Sequence, residues 1–446
     1  MAKNLVQGNI VKTLILFSLP LVLSGLLQQL YNWADAFIVG NVEGELQLAA
    51  IGGTGAISGL LVTMITGFTV GITILAAYLY GAGQKAELKN VLSSFTLLLG
   101  GFFGVIAVLG MVFTSPILRL LDTPADIFAP ACRYLRIIFA GIPFLVVYNV
   151  YASVLRGMGD SRTPFLAIVV SALTNVLLDI LFVAVYRHGV TGAAVATVIS
   201  QAMMTLFIFA YSTRTYPLLK FRVERKAVNR KILRRGLRLS IPTALQSSVH
   251  SAGSLLLQNF MNGFGTHTVA AITTAYRIDM IIMLPLNNLS EGISTITAQN
   301  IGAGNRERAK KSLWAGAVLM SAVAIALTVA IIPTGGTLIS MFGVHGKAVE
   351  IGEKFFRIIA LFYFPYGVAI AVKGYLQGLG DVVASGLLSI ASLGIRIALS
   401  YLFREQAGNA IIAYAEAFSW IALLVMCILR LAYVSRSRSA FDGEAV

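Results

Sequence analysis

With 446 residues, 57% of them hydrophobic and 12% charged, the chain is too apolar for an ordinary soluble domain, where about 25% of residues are charged. The formal net charge of +15 does not mark a nucleic-acid binder. The cations gather in particular loops between apolar runs, which is the positive-inside pattern of a membrane chain.

Twelve apolar stretches are long enough to cross ~30 Å of hydrocarbon as helices. They lie at roughly 11–40, 49–79, 91–113, 130–155, 163–186, 190–211, 238–263, 270–301, 313–333, 353–376, 383–403 and 409–433. They are too long and irregular for the strands of an outer-membrane barrel. The first lacks a small-residue cleavage site and is too long for a signal peptide, so it is expected to remain as a span. The loop after it, Asn41–Gln47, carries Glu43 and Glu45 and no Lys or Arg. The next carries Lys85 and Lys89, the fourth-to-fifth Arg156 and Arg162, and the eighth-to-ninth Arg306, Arg308, Lys310 and Lys311. The central stretch holds ten cations between Arg214 and Arg238 against one acid, Glu224. Both termini and this linker are therefore expected in the cytoplasm, with the chain in the cell (inner) membrane. Cys132 and Cys427 form no disulfide framework and read as small apolar fillers.

The halves repeat. Gly71-Ile-Thr-Ile recurs as Gly292-Ile-Ser-Thr, Leu155-Arg-Gly-Met-Gly-Asp160 as Leu376-Gln-Gly-Leu-Gly-Asp381, and Ala49-Ala-Ile as Ala270-Ala-Ile, each 221 residues on. Ser18-Leu-Pro20 recurs as Ser240-Ile-Pro242 at 222. Six spans per half is an even number, so the repeat is parallel, about an axis along the membrane normal. The expected architecture is an all-α integral membrane protein of twelve transmembrane helices in two six-helix lobes. Residues 1–211 form the first lobe, 212–237 a basic cytoplasmic linker, 238–434 the second lobe and 435–446 a cytoplasmic tail. A cleft between lobes is the natural place for substrate, and rocking one lobe on the other gives alternating access. The repeated Gly-x-Gly-Asp turns follow spans, not strands, and read as tight turns closing helical hairpins, not as phosphate-binding loops.

Two carboxylates sit inside apolar runs: Asp35 between Val11 and Val39, and Asp179 between Thr163 and Tyr186. A charge at bilayer depth costs at least ~2.5–3.5 kcal/mol, so the pair points to a proton or small-cation site and hence to a transporter. Asn175 and Asp179 are four apart and share a helix face. Asp35 lies five residues before Gly40 and Asp179 seven before Tyr186. At ~1.5 Å per residue both sit about 7–10 Å below the outer rim. Across the repeat, Asp35, Asp179 and Asn175 map to Leu257, Ser400 and Arg396, which confines the acids to one lobe.

Other intramembrane polar groups are secondary candidates. Arg396 holds helices together through carbonyls or shapes the cavity. Glu291 is a possible second titrating group. His250 either titrates near neutrality or is a satisfied interhelical histidine. Arg277 and Asp279, two apart, are assigned structural roles and need not pair. Glu416, near the outer end of the last span, is expected to be solvated. Pro20 and Pro242 kink the spans that open each lobe, for packing or for a moving gate.

Taken together, Leu27-Gln-Gln-Leu-Tyr-Asn-Trp-Ala-Asp35 with Pro20 and Ile38-Val-Gly, Leu155–Pro164, the Asn175/Asp179 pair, Arg277-Ile-Asp279 and Gln299-Asn-Ile-Gly-Ala-Gly304 resemble the multidrug and toxic compound extrusion (MATE) transporters over essentially the whole chain. The resemblance implies two six-helix bundles and a drug/cation antiport in which a coupling ion binds in the first lobe. It places that ion at Asp35, Asn175 and Asp179, with Thr197 and Tyr134 by spacing, and bending at Pro20. Two nearby carboxylates in a low dielectric cannot both stay ionised easily, which makes the pair a proton acceptor. Together with an Asn carbonyl and a Thr hydroxyl they also form a hard-oxygen set suited to sodium.

Soft and aromatic side chains are the candidate cavity walls: Gln28, Tyr31, Asn32, Trp33, Met64, Met203, Gln258, Tyr276, Met280 and Met283. Such surfaces suit large planar organic cations, drugs or dyes. The first reading is therefore a monomeric secondary efflux antiporter without a cofactor, exchanging organic cations for H+ or Na+. A lipid-linked saccharide flippase of the same two-lobe plan is the alternative; it should show several cavity-facing Arg or Lys residues, whereas here Arg396 is one candidate, Lys373 lies near the cytoplasmic end and acids dominate the first lobe. A channel would not need a one-lobe acid pair, and no nucleophile–base constellation or metal-ligand cluster points to an enzyme.

Overall fold

In hydrocarbon a backbone must satisfy its own N–H and C=O groups, which leaves helices and closed barrels. This computed structural model, which describes residues 5–220 and 228–436, takes the helical solution, with no strand among the described residues. Arg222, Glu224, Arg225 and Lys226 of the linker and residues 437–446 of the tail lie outside the described residues.

The helices are α1 Ile10–Glu43, α2 Glu45–Gly81, α3 Lys85–Leu120, α4 Ala125–Gly157, α5 Arg162–Asp179, α6 Gly189–Thr215, α7 Arg230–Asn262, α8 Thr266–Ile282, α9 Leu284–Gly302, α10 Arg306–Met341, α11 Lys347–Ile359, α12 Tyr363–Gly378, α13 Val382–Leu402, the single turn α14 Arg404–Ala407, and α15 Ile411–Arg436. The helices outrun the apolar runs at most ends, because the flanking polar turns continue the hydrogen-bond ladder outside the hydrocarbon. Three spans are not uniform. Directly after Asp179, α5 becomes a π-helical turn, Ile180–Val185. The eighth span is bent by 40° between α8 and α9, with Pro285 at the start of α9 unable to donate to the preceding turn. The tenth passes through a 3-10 turn, Ala360–Phe362, between α11 and α12. Counting α8–α9 and α11–α12 as one span each, twelve helices among the described residues are long enough to cross, and eleven of them are also apolar enough. The twelfth, α7, starts in the basic linker at Arg230 and is the least apolar.

Burial divides apolar residues into two populations. On α3, Phe95, Leu99, Phe103 and Ala107 are buried, while Phe102, Val105, Val108 and Val112 are exposed. Both stripes repeat at helical spacing, one for the bundle and one for lipid, as expected of a helix hydrophobic all round.

The chain divides into two compact units. One is Leu19–Ser240; the other comprises Leu5–Ser18 and the residues from Ile241 onward. Both divisions fall inside a helix, two residues before Pro20 in α1 and before Pro242 in α7. Both helices run unbroken through their prolines. In the first unit α4 is the hub, packing on α2, α3 and α6; in the second α12 packs on α9, α10 and α15. The repeat is visible at these contacts. A Cβ on Gly157 would meet Ala76 Cβ at 2.6 Å, and one on Gly378, 221 residues on, would meet Ser294 O at 2.5 Å and Thr297 Cβ at 2.6 Å. Glycine lets the hub helix touch its neighbour's backbone. The Gly-x-Gly-Asp turns are helix C-caps. Gly159 and Gly380 take φ of +87° and +91°, and the N–H groups of Asp160 and Asp381 return to the carbonyls of Leu155 and Leu376 at 2.9 and 3.0 Å, a Schellman closure.

Candidate functional site

In the first unit, Asp35 comes from α1 and Asp179 from the last residue of α5. One turn beyond each, Val39 and Val183 pack in a single buried cluster with Ala193 of α6. The two acids therefore lie at the same depth beneath a common apolar cover. Their carboxyl groups come within side-chain hydrogen-bonding range of each other, and Tyr134 of α4 and Tyr31 of α1 lie within electrostatic reach. Asp179 is 0% and Asn175 1% exposed; Asp35 is half-buried. Both oxygens of Asp179, Oδ1 of Asp35 and Oδ1 of Asn175 are buried without a hydrogen-bond partner among the described residues. Two ionised carboxylates are both acceptors, so proximity alone satisfies neither. A buried unpaired acceptor costs ~1–3 kcal/mol, more when charged. A proton shared between the acids, or a cation among these oxygens, supplies the missing partner. The π-helical turn after Asp179 was not foreseen from sequence; such single turns inside helices are frequent at functional sites.

Thr197 on α6 is half-buried, and its hydroxyl donates to the Ala193 carbonyl of its own helix at 3.0 Å, leaving an oxygen lone pair as its only resource for an ion. Pro20 is buried, with its carbonyl accepting from Ser24 Oγ at 2.7 Å. Of the remaining residues proposed for cavity walls, Gln28 and Met64 are half-buried, whereas Asn32, Trp33 and Met203 are exposed.

The second unit has a different polar interior. Arg396 of α13 donates to Glu416 of α15 at 2.8 Å and to the Tyr276 hydroxyl of α8 at 2.7 Å, and its guanidinium lies 5.6 Å from that ring's centroid. Arg396 thus holds helices together through side chains, not carbonyls. Glu416, expected to be solvated, is 6% exposed, because the turn preceding α15 places it inside the bundle against Arg396. Asp279 accepts from the buried Tyr363 hydroxyl at 2.7 Å, while Arg277 is exposed. Next to this network lies a cavity of about 240 Å3. Met283, His250 and Arg396 line it; Gln258, Tyr276, Met280 and Glu291 do not. Gln258 instead donates to Asn262 on its own helix at 3.3 Å. His250 is exposed and is not a satisfied interhelical histidine: its ring faces the cavity without a hydrogen-bond partner among the described residues.

Residues 20–181 and 242–402 match the MatE family, the two segments opening on the repeat-related prolines. Over 428 residues, 94% of this chain and 94% of the relative, the sequence is 30% identical to YpnP of Bacillus subtilis, a probable multidrug resistance protein. It is 23% identical over 439 residues, 98% of this chain and 96% of the relative, to MepA of Staphylococcus aureus, a multidrug export protein. The fold is similar to that of a multidrug resistance MATE family transporter of the MOP superfamily, solved in an outward-facing conformation. The TM-score is 0.90 at 23% identity, covering 97% of this chain and 98% of that one.

Proposed function

The chain belongs to the MatE family of multidrug efflux transporters, and from that premise we propose that it is a secondary antiporter exporting organic cations in exchange for H+ or Na+. Members of the family are multi-pass membrane transporters and not enzymes. In this reading the coupling ion binds at Asp35 and Asp179, with Asn175 and Tyr134 beside them and the Thr197 oxygen in support. The chain sits in the cell membrane with both termini cytoplasmic, and two lobes, 1–211 and 238–434, alternate access as a monomer with Pro20 as a bending point.

The observation that carries the reading is the acid pair, three of whose four oxygens are buried without a donor among the described residues. An ion arriving from outside neutralises it and removes the cost of the unpaired acceptors. The state that holds the ion is thereby favoured over the state that holds the drug, and the two cargoes alternate. Four unpartnered oxygens, from Asp35, Asp179 and Asn175, are hard ligands for sodium, and the carboxyl pair alone suffices for a proton. A lipid-linked saccharide flippase is the weaker reading, since relatives across nearly the whole chain carry multidrug names. The test is ethidium transport in inside-out vesicles under an imposed pH gradient or an imposed sodium gradient. Transport driven by one gradient and lost in Asp35→Asn supports antiport and names the ion. Equal rates in wild type and Asp35→Asn would remove Asp35 from the mechanism.

A further inference from the structure

The cavity of the second unit contains charge that its own network does not use. Both acids on its wall are engaged, Glu416 by Arg396 at 2.8 Å and Asp279 by Tyr363 at 2.7 Å. Two basic side chains on the same wall are not. Lys373 of α12 makes no hydrogen bond or ion pair among the described residues, and neither does the His250 ring of α7, although both line the cavity. His250 lies within electrostatic range of both Lys373 and Arg396, so three basic groups share one space. An ammonium inside a membrane span is costly and is rarely present without a partner. Here the described residues provide none.

Another part of the wall is aromatic. Tyr366 and Trp420 have ring centroids 4.5 Å apart at 34°, and both face the cavity. Tyr366, Ile370 and Lys373 follow one another at i, i+4 and i+7, so they stand on one face of α12. The tyrosine and the lysine are two turns, ~10 Å, apart. A flat ring system at Tyr366 and Trp420 therefore spans the cavity with its far end at Lys373. Polar donors flank that path: Gln246, one turn before His250, and Ser389. A volume of about 240 Å3 is small beside drug-sized pockets of roughly 300–1,000 Å3, and suits one fused ring system with a compact acid group.

We propose that this cavity binds the carboxylate of an aromatic acid or zwitterion, with Lys373 and His250 receiving the carboxylate and Tyr366 and Trp420 the ring. The inference deepens the proposed function, because it rests on the chain being a pump and extends its substrates from cations to molecules that also carry an acid. Arg396 is held back by Glu416 and shapes the site without being its anion ligand.

Binding, not transport, is the readout, so the cavity is tested whether or not ion-coupled efflux is observed. The full chain in phosphatidylcholine nanodiscs is titrated with fluorescent anthracene-9-carboxylate and with its neutral methyl ester. Wild type is expected to bind the acid at least about tenfold more tightly than the ester, the worth of a charge-assisted hydrogen bond in a desolvated site. Lys373→Met is expected to lose that preference and Lys373→Arg to keep it. The arginine variant separates loss of charge from loss of fold, and the thermal unfolding midpoint of each variant checks folding directly. His250→Phe is expected to weaken acid binding by a smaller factor, with the ester unaffected. Equal affinity for acid and ester in wild type overturns the proposal, and so does undiminished acid preference in a folded Lys373→Met. Absence of acid binding to wild type overturns it as well. Failure of gradient-driven ethidium efflux, by contrast, counts against the antiporter reading alone.

Discussion

At positions related by the repeat, the two units carry opposite chemistry on the same frame. The hub helices meet their neighbours through Gly157 in one unit and Gly378 in the other, and both end in the same glycine cap. Yet Asn175 in one is Arg396 in the other, Asp179 is Ser400, and Asp35 is Leu257. The first unit holds the Asp35/Asp179 pair, three of whose oxygens are buried without a donor among the described residues. The second buries an arginine with two donated bonds and an acid accepting from a tyrosine. A frame repeated for packing does not dictate what its interior binds; the side chains placed on it do.

The comparison breaks if the unsatisfied acids prove dispensable. Asp179→Asn is expected to reduce gradient-driven ethidium efflux at least about tenfold, as loss of an ion-binding group in a low-dielectric site implies. Its unfolding midpoint should remain at or above wild type, since a buried acceptor without a donor is replaced by a neutral amide. A variant that unfolds early while still transporting would make Asp179 structural.

In the second unit the order of effects reverses, with stability most affected. Arg396→Met leaves Glu416 buried and unpaired, and should cost about 3–5 kcal/mol, read as a lowered thermal midpoint in detergent. Adding Glu416→Gln should recover most of it. Tyr363→Phe removes the donor to Asp279 and should cost about 1–3 kcal/mol in the same assay. The frame itself is expected to respond alike in both units. Gly157→Ala and Gly378→Ala each press a methyl into backbone atoms and should each cost about 1–3 kcal/mol by overpacking.

The spans were legible because a bilayer leaves the backbone few choices, so apolar length alone identifies a helix. The acid pair was legible because helix rise converts residue spacing into depth; the shared packing of Val39 and Val183 is that depth seen in three dimensions. What escaped the sequence was partner choice over distance. Nothing local to Glu416 says that Arg396 waits 20 residues earlier on another helix, or that Tyr276 completes the set 120 residues before Arg396. His250 was hard to place for the same reason, since whether a helix face meets a neighbour or a cavity depends on its neighbours' side-chain volumes. The bend after Ile282 had a signal in Pro285. The π-helical turn after Asp179 had none, as Ile180–Val185 is ordinary helix-compatible sequence.

The smallest expected effect is at the repeated Gly-x-Gly-Asp turns, where the units use one aspartate differently. Asp160, 2% exposed, accepts from the backbone N–H of Arg162 and Thr163, both at 3.1 Å, and from the hydroxyls of Thr163 and Tyr216, both at 2.7 Å. It caps the start of α5 and ties it to the end of α6. Asp381 spends its carboxylate on Arg430 of α15, at 2.7 and 3.0 Å, with the two side chains 17% and 33% exposed. Breaking a cap at a buried site costs about 0.5–2 kcal/mol, whereas an ion pair at the surface, the end of the range this half-buried pair lies nearer, contributes about 0–1 kcal/mol. Asp160→Ala should therefore lower the thermal midpoint clearly, and Arg430→Met only slightly and less still in high salt, which screens the half-buried pair in part. If Arg430→Met proves the more damaging, the Asp381 pair is holding α13 to α15 in a way its exposure does not indicate. The second unit would then depend on ionic ties at its rim as well as in its interior.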